Sequence, residues 1–118
     1  MSRTTNSVAS RRRRKKVLKL ARGFRGSRSK LIRQAYGAVD RAMANAYIGR
    51  KQKKRQYRQL WTIRINAACR ALDFKYSWLI DGLRKAGVEL DRKQLAEMAA
   101  TDNPAFAKIV DLARQARG

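Results

Sequence analysis

Apolar residues recur at steps of three and four along much of the chain, which is the spacing of one face of an α-helix. This pattern begins at Leu31, fades between residues 49 and 59 and returns at Trp61. We therefore predict one continuous helix over residues 31–72, about 63 Å long at 1.5 Å per residue. Because that length exceeds the width of a domain of about 60 residues, much of the helix is expected to project.

The segment before this helix is polar and basic, and glycines interrupt it. Residues 1–10 are small and polar, so we expect them to be disordered. Ser10 is a candidate N-cap for a basic helix over residues 11–22, which should form fully only when phosphates reduce the repulsion among its charges. The glycines within residues 23–30 then allow the backbone to bend and end the helix.

Beyond residue 72 the apolar positions predict three short helices and no strands. The first covers residues 75–85. Asp91 caps the second, with Gln94 at capping-box spacing, and the third starts at Asp102 or Asn103. The predicted core consists of Trp61, Leu72, Phe74, Leu79, Ile80, Leu83, Leu95 and Phe106. The last helix is expected to bury Phe106, Ile109, Val110 and Leu112.

These elements predict an all-α fold in two parts. A long basic helical N-terminal extension (helix, glycine-hinged bend, long helix) covers residues 1–58. A small globular all-helical domain follows over residues 59–118. A domain of this size buries only about 60% of its unfolded surface, so its core is expected to be small.

Charge is segregated between the two halves of the 118-residue chain, whose formal net charge is +22. Residues 1–60 carry 20 of the 30 lysines and arginines but a single acid, Asp40, and are net +19, whereas residues 61–118 are net +3. A segment this basic is hard to keep compact without a polyanion. Nucleic acid is the first candidate partner and an anionic membrane surface the second. The apolar runs are too short to span a bilayer.

The sequence lacks the residues that most enzymes and metal sites use. It has no histidine, which removes the commonest general base and metal ligand. There is no paired-carboxylate site, Gly-rich phosphate loop or nucleophile motif. Cys69 lies among small residues at helical spacing, so a small buried apolar residue is favoured over a reactive thiol. We predict no enzyme, no metal, no cofactor and no small-molecule substrate.

The bases fall into a head at residues 11–22, a link at 25–33 and a stripe at 50–58, and all three are candidate phosphate contacts. Phe24 and Tyr57 are candidates for stacking on RNA bases. Each of these features has an alternative interpretation. The head could be a nuclear-targeting signal or a solvated run of charge, and the stripe could be a solvated connecting helix. Phe24 could make a hydrophobic contact that holds the turn. The candidate RNA-binding residues are Arg3, Arg11, Arg12, Arg13, Arg14, Lys15, Lys16, Lys19, Arg22, Phe24, Arg25, Arg28, Lys30, Arg33, Arg50, Lys51, Lys53, Lys54, Arg55, Tyr57, Arg58, Arg64 and Arg70.

Several segments resemble the bacterial large-subunit ribosomal protein L-twenty family, and the resemblance covers nearly the whole chain. It is carried by residues 15–29 (KKVLKLARGFRGSRS), 54–61 (KRQYRQLW), 64–68 (RINAA), 82–86 (GLRKA) and 90–93 (LDRK). The resemblance implies an all-helical protein whose basic arm threads into large-subunit ribosomal RNA. It also implies an early role in subunit assembly, and in some members repression of translation through binding of their own messenger RNA.

The chain departs from this family pattern at a few positions. Residues 4–7 replace a short basic motif near the start, and Arg14 replaces a common histidine. Thr62 replaces an apolar residue. Lys75 stands where an N-cap serine is common, and lysine lacks the acceptor oxygen of a cap.

The resemblance implies ribosomal RNA and neighbouring large-subunit proteins as partners, no membrane, and a place in the cytoplasm within the ribosome, with an organellar ribosome left open. Two other functions are consistent with the charge. One is an architectural protein that condenses DNA. The other is a translational repressor that binds messenger RNA through the C-terminal domain.

Overall fold

Helices account for the regular structure of residues 3–118, which are the residues that this computed structural model describes. They are α1 (Ser7–Leu20), α2 (Ile32–Ala71), α3 (Tyr76–Lys85), α4 (Arg92–Thr101) and α5 (Asn103–Arg117), with a short 3-10 turn at Gly26–Ser29. No strand occurs in this described range, and the predicted all-α fold is confirmed. The predicted continuous helix over residues 31–72 is confirmed to within one residue at each end.

Helix α1 begins at Ser7, so the prediction that Ser10 caps it is wrong. Asn6 occupies the N-cap position with a left-handed backbone (φ 56°), which asparagine tolerates better than most residues. Its carbonyl accepts a hydrogen bond from the Ser10 N–H at 3.0 Å, which starts the helix one turn early. The prediction that residues 1–10 are disordered is therefore wrong for residues 7–10. Residues 1 and 2, which it also covered, lie outside the described range.

The bend between α1 and α2, called the elbow here, spans residues 21–31 and uses two glycines. Gly23 and Gly26 have φ of 85° and 65°, a left-handed conformation that residues with a side chain rarely adopt. A small apolar cluster stabilises the bend. It consists of Ala21, Ala35 and Val39, which are buried, and Val17, Leu18 and Phe24, which pack against them.

A larger apolar cluster joins the C-terminal end of α2 to helices α3, α4 and α5. Its buried members are Ile65, Cys69, Phe74, Leu79, Leu83, Leu95, Ala96, Phe106, Val110 and Ala113. Helix α5 packs against both α3 and α4. The tightest approach is at Gly82 of α3, where an added Cβ would lie 2.4 Å from the carbonyl oxygen of Ala113. Only a residue without a side chain allows the two helices to pack this closely.

Most of the predicted core is confirmed. Phe74, Leu79, Leu83, Leu95 and Phe106 are buried, Trp61 and Leu72 are half-buried against the cluster, and Ile80 is half-buried. In α5, Val110 is buried and Ile109 is half-buried, but Leu112 is 41% exposed, so its predicted burial is wrong. The reason is that α5 buries the face of Phe106, Val110 and Ala113, and Leu112 lies about 100° around the helix from Ala113.

The helix ends of the C-terminal half are specified by local hydrogen bonds. The predicted capping box is confirmed: Asp91 Oδ1 accepts from the Gln94 N–H at 2.8 Å, and the Asp91 N–H donates to Gln94 Oε1 at 3.2 Å. Asp102 caps α5 by accepting from the Ala105 N–H at 3.1 Å. Lys75 occupies the N-cap position of α3 without a side-chain hydrogen bond, as expected for a residue that lacks an acceptor.

The chain divides into two compact units, one that ends at Lys51 and one that covers Gln52–Gly118. The first contains α1, the elbow and the N-terminal half of α2. The second contains the rest of α2 and the larger apolar cluster. The functional boundary between residues 58 and 59 stays a prediction.

Cys69 is fully buried in the larger cluster, which confirms its predicted role as a small apolar residue. Burial raises the pKa of its thiol from 9.0 to about 11, because the thiolate would lose its hydration. The thiol is therefore protonated, and a poor nucleophile, at neutral pH.

Replacing Gly82 with alanine is expected to lower the free energy of unfolding by about 1–3 kcal/mol, because the new methyl group must displace the backbone of α5. Gly49→Ala is the matched control, since nothing lies within 4 Å of a Cβ at this helical position. The control should raise stability by roughly 0.5–1 kcal/mol. Urea unfolding of both variants measures the difference, and equal stabilities would contradict the close α3–α5 contact.

The buried thiol also predicts a loss of stability at alkaline pH. The folded-state pKa lies above the unfolded one, so the contribution is present below about pH 9 and is lost as the pH rises toward 11. We expect the free energy of unfolding to fall more steeply over this range than in Cys69→Ala, which loses packing at every pH but has no thiol to titrate. Tryptophan fluorescence during urea unfolding measures both, and parallel pH profiles would refute the expectation.

Candidate nucleic-acid interface

The candidate cations lie on the surface and lack carboxylate partners. Every predicted RNA-binding lysine and arginine is exposed. The ion pairs found within residues 3–118 are Lys85–Asp81 at 3.1 Å, Arg117–Asp81 at 3.8 Å and Arg114–Asp111 at 3.9 Å. All of them lie beyond residue 80, and Asp40 takes part in none. The positive charge of the first unit is therefore not compensated by carboxylates of the described chain.

Helix α1 separates its basic side chains from its apolar ones. Its bases, from Arg11 to Lys19, are exposed, whereas Val17 and Leu18 are half-buried against the cluster beneath the elbow. Its first turn contains no acid. The apolar residues thus anchor the end of the helix at the elbow, while the charges face solvent where a polyanion can reach them.

A groove beside the elbow collects four arginines. Arg25 and Arg28 enter it from the elbow, and Arg33 and Arg41 enter it from α2. Its volume is about 710 Å³. The remaining lining residues are Phe24, Gly26, Ser27, Gln34, Gly37, Ala38, Ala42 and Asn45. No acid lines this elbow groove, so it presents guanidinium groups around a concave surface, an arrangement suited to phosphate.

Arg41 is a residue that the candidates chosen from the sequence omit. It follows Arg33 by eight residues, a little over two helical turns, so the two arginines share a face of α2 with Gly37 between them. That spacing is visible in the sequence, but the groove is not, because the other two arginines come from the elbow itself, whose bend brings them beside α2. Conversely, Lys30 belongs to the same link but does not line the groove.

Phe24 is half-buried at the elbow. Its ring packs against the elbow cluster, a local core that the sequence pattern did not reveal, and it also lines the groove. The packing therefore favours a hydrophobic contact that holds the turn. A role for Phe24 in stacking on RNA stays a prediction.

Helix α2 is exposed at every residue from 43 to 60. Within the basic stripe of residues 50–58, four bases lie on one face of the helix by helical register: Lys51, Lys54, Arg55 and Arg58. Its hydrogen bonds are local: Lys51 Nζ donates to the Tyr47 hydroxyl at 2.6 Å, and Arg58 Nε donates to the Lys54 carbonyl at 3.3 Å. No side chain of this segment is buried in a core of the chain, so these charges are available to a partner.

Tyr57 lies among these bases and is 47% exposed. Its ring centre is 6.1 Å from that of Trp61, with the ring planes tilted by 34°. The aromatic pair holds Tyr57 against the helix and leaves about half of its surface accessible, which is compatible with stacking on a base.

The second unit carries a different surface. Arg64 and Arg70 are exposed on its part of α2, as candidates for RNA contact. Around Trp78, by contrast, the cations are already engaged: Lys75 Nζ and the Arg117 guanidinium lie 4.7 and 4.5 Å from ring centroids of Trp78, and Arg117 also pairs with Asp81. This mixed-charge surface is less suited to phosphate than the elbow groove.

Across residues 3–118, no helix combines the length and the apolar character needed to cross a membrane. Nor does this described range bring together three or more residues of the types that hold metal ions. The exposed cations are thus the main chemical feature of the surface described above.

Comparison with known proteins identifies the family. The model of the family described as ribosomal protein L20 matches residues 3–109. The large ribosomal subunit protein bL20 of Desulfotalea psychrophila is 53% identical over 116 residues, which cover 98% of each chain. Its namesake from Thermoanaerobacter pseudethanolicus is 53% identical over 115 residues, 98% of this chain and 97% of the relative. That from Clostridioides difficile is 53% identical over 114 residues, 97% of each chain.

This match extends through the elbow, the basic stripe and most of the C-terminal helices. It agrees with the resemblance of the motifs between residues 15 and 93 and with the prediction that the chain is not an enzyme. The chain therefore belongs to the bacterial ribosomal protein L20 family, whose members are structural rather than enzymatic proteins.

Proposed function

We propose that this protein is a structural constituent of the large ribosomal subunit, located in the ribosome, that binds large-subunit ribosomal RNA directly and acts early in assembly. Its relatives carry the name large ribosomal subunit protein. The observation that carries the RNA-binding part is the charge of the N-terminal half: residues 1–60 hold 20 bases and one acid, and every candidate cation is exposed. Such a surface is stabilised by a polyanion.

The proposed mechanism is electrostatic. Lysines and arginines of the head, the elbow groove and the basic stripe neutralise phosphates of RNA segments that would otherwise repel one another. Their contacts are expected mainly with phosphate and sugar, so that RNA shape is recognised rather than sequence. The C-terminal domain has its own core and caps, so it is expected to fold without an RNA partner.

Neighbouring ribosomal proteins are expected to contact α2, because several of its apolar residues are exposed. Tyr36, Met43 and Tyr47 are 45–54% exposed along one face of the helix. Exposed apolar residues in a row commonly mark a protein contact. We assign this face to a protein neighbour rather than to RNA.

A second candidate function is binding of the protein's own messenger RNA through the C-terminal domain. Arg64 and Arg70 support it, since they are exposed on the unit Gln52–Gly118, which has its own apolar core. Arg64→Gln with Arg70→Gln in the full chain tests it, because repression of the messenger RNA should fall much more than incorporation into large subunits, to which the bases of residues 11–58 also contribute. An architectural DNA-binding function would instead give comparable affinity for duplex DNA and no co-sedimentation with large subunits.

Replacing Arg50, Lys51, Lys54, Arg55 and Arg58 with alanine is expected to weaken binding to large-subunit ribosomal RNA and to flatten its salt dependence. If each base neutralises one phosphate, the slope of log affinity against log salt should decrease in magnitude by about 3–5, since each contact contributes roughly 0.7–0.9. Alanine maintains helix propensity, so the effect reports the lost charges. Filter binding or fluorescence anisotropy at a series of salt concentrations measures the slope.

Gln52, Gln56 and Gln59 lie on the adjacent face of the same helix and give the matched control. Their replacement with alanine removes polar contacts but no charge, so the slope should stay that of the unmodified chain. If the five-base variant also retains the original slope, the electrostatic mechanism is refuted for this segment.

The head is expected to become more ordered when phosphate is bound, because its adjacent positive charges repel one another in α1. Amide hydrogens of residues 11–20 should exchange more slowly in the full chain bound to ribosomal RNA than in the free chain. Amides of α3 and α5 provide the internal reference, since their packing is independent of RNA. Equal exchange of α1 amides in both states would contradict coupled ordering.

A further inference from the structure

The elbow groove differs from the other basic surfaces of the chain because it is concave. The head and the basic stripe are convex faces of single helices, whereas the groove has cations on two sides. Its volume of about 710 Å³ falls within the range of roughly 300–1,000 Å³ typical of sites that enclose one small ligand. This is the scale of a short piece of one nucleic-acid strand.

The chemistry of the lining fits a nucleotide chain. Four arginines supply planar donors that bind phosphate in a bidentate manner. No acid lines the groove, and none of its arginines takes part in an ion pair found within residues 3–118. Asn45 adds an amide that can hydrogen-bond to a base edge or a ribose hydroxyl. The ring of Phe24 supplies an apolar surface against which a base can stack.

The floor of the groove is made of very small residues. Gly37, which lies between Arg33 and Arg41 along α2, leaves open space where a side chain would be, with nothing within 4 Å of an added Cβ. Ala38 and Ala42 continue this floor. A mid-helix glycine costs about 0.5–1 kcal/mol relative to alanine, and packing within the described chain does not require it here. The open position lets a ligand approach the helix backbone.

The groove is already formed in the free chain. The Leu31 N–H donates to the Ser27 carbonyl at 2.8 Å, and the Ser27 hydroxyl hydrogen-bonds to Gln34, which ties the link to α2. Ala35 and Val39 are buried beneath the elbow. A preformed site loses less conformational entropy on binding than a disordered arm, so it can discriminate between RNA shapes.

We propose that the elbow groove holds an unpaired segment of one RNA strand, with phosphates on its four arginines and a base against Phe24. This inference rests on the proposed RNA-binding function and adds to it a preference for non-duplex RNA at one site. The head and the basic stripe, in contrast, bind duplex and non-duplex RNA alike through their phosphates.

The test compares the affinity of the full chain for two synthetic RNAs at one salt concentration. One is a fully paired hairpin, and the other is the same hairpin with an unpaired segment in one strand. The unmodified chain should prefer the second. In Arg33→Gln with Arg41→Gln this preference should fall by about tenfold or more, since two charged hydrogen-bonding groups are lost from the groove.

Arg12→Gln with Arg13→Gln is the matched control, because it removes the same charge from the head. It should weaken binding to both RNAs by a similar factor and leave their ratio unchanged. If the groove variant also leaves the ratio unchanged, or if the unmodified chain binds both RNAs equally, the groove proposal is overturned while the proposed function stands. If the unmodified chain binds neither RNA in a salt-dependent manner, the proposed function fails as well.

A second pair of variants separates the floor of the groove from its charge. Gly37→Gln places a side chain in the groove without altering the net charge and favours the helix. Gly49→Gln makes the same change at an equally open helical position outside the groove. Only the first should reduce the preference for the unpaired RNA. Equal ratios in the two variants would overturn the role of the open floor, and circular dichroism verifies that both remain helical.

Discussion

Repulsion among like charges is the constraint on which the rest of this structure depends. Residues 1–60 hold 20 bases and one acid, so any fold that brought them together would concentrate positive charge in a small volume. Helix α2 avoids this by keeping every residue from 43 to 60 exposed. The internal apolar contacts of the first unit are few and lie at the elbow, at the end of α1 where charges are sparser. The ion pairs described above lie instead beyond residue 80.

The two units therefore differ in what stabilises them. The unit Gln52–Gly118 has a buried core, a capping box at Asp91 and a close helix contact at Gly82. These are ordinary terms of protein stability and need no partner. The first unit relies on helix propensity, two left-handed glycines and a small cluster under the elbow, so its charges are balanced only when it binds a polyanion. The larger packed core and the densest positive charge therefore lie in different parts of one chain.

Sequence patterns predicted the parts of the fold that local rules determine. The apolar steps gave α2 to within one residue, and the spacing of Asp91 and Gln94 gave the capping box. Sequence patterns did not predict burial or groove membership where these depend on contacts between residues distant in sequence. The half-burial of Phe24 depends on Ala35 across the elbow, and the place of Arg41 in the groove depends on the same bend. Leu112 was wrongly predicted to be buried, because the close contact between Gly82 and Ala113 determines which face of α5 packs against α3.

The central proposal is that uncompensated cations of the basic extension, residues 1–58, contact large-subunit ribosomal RNA. Ultraviolet crosslinking of the full-length protein in living cells, followed by identification of both the peptide and the nucleic acid, tests it most directly. The account predicts that crosslinked peptides lie mainly within residues 11–58 and carry fragments of large-subunit ribosomal RNA. Crosslinks confined to residues 59–118, or crosslinks of residues 11–58 to DNA, would contradict it.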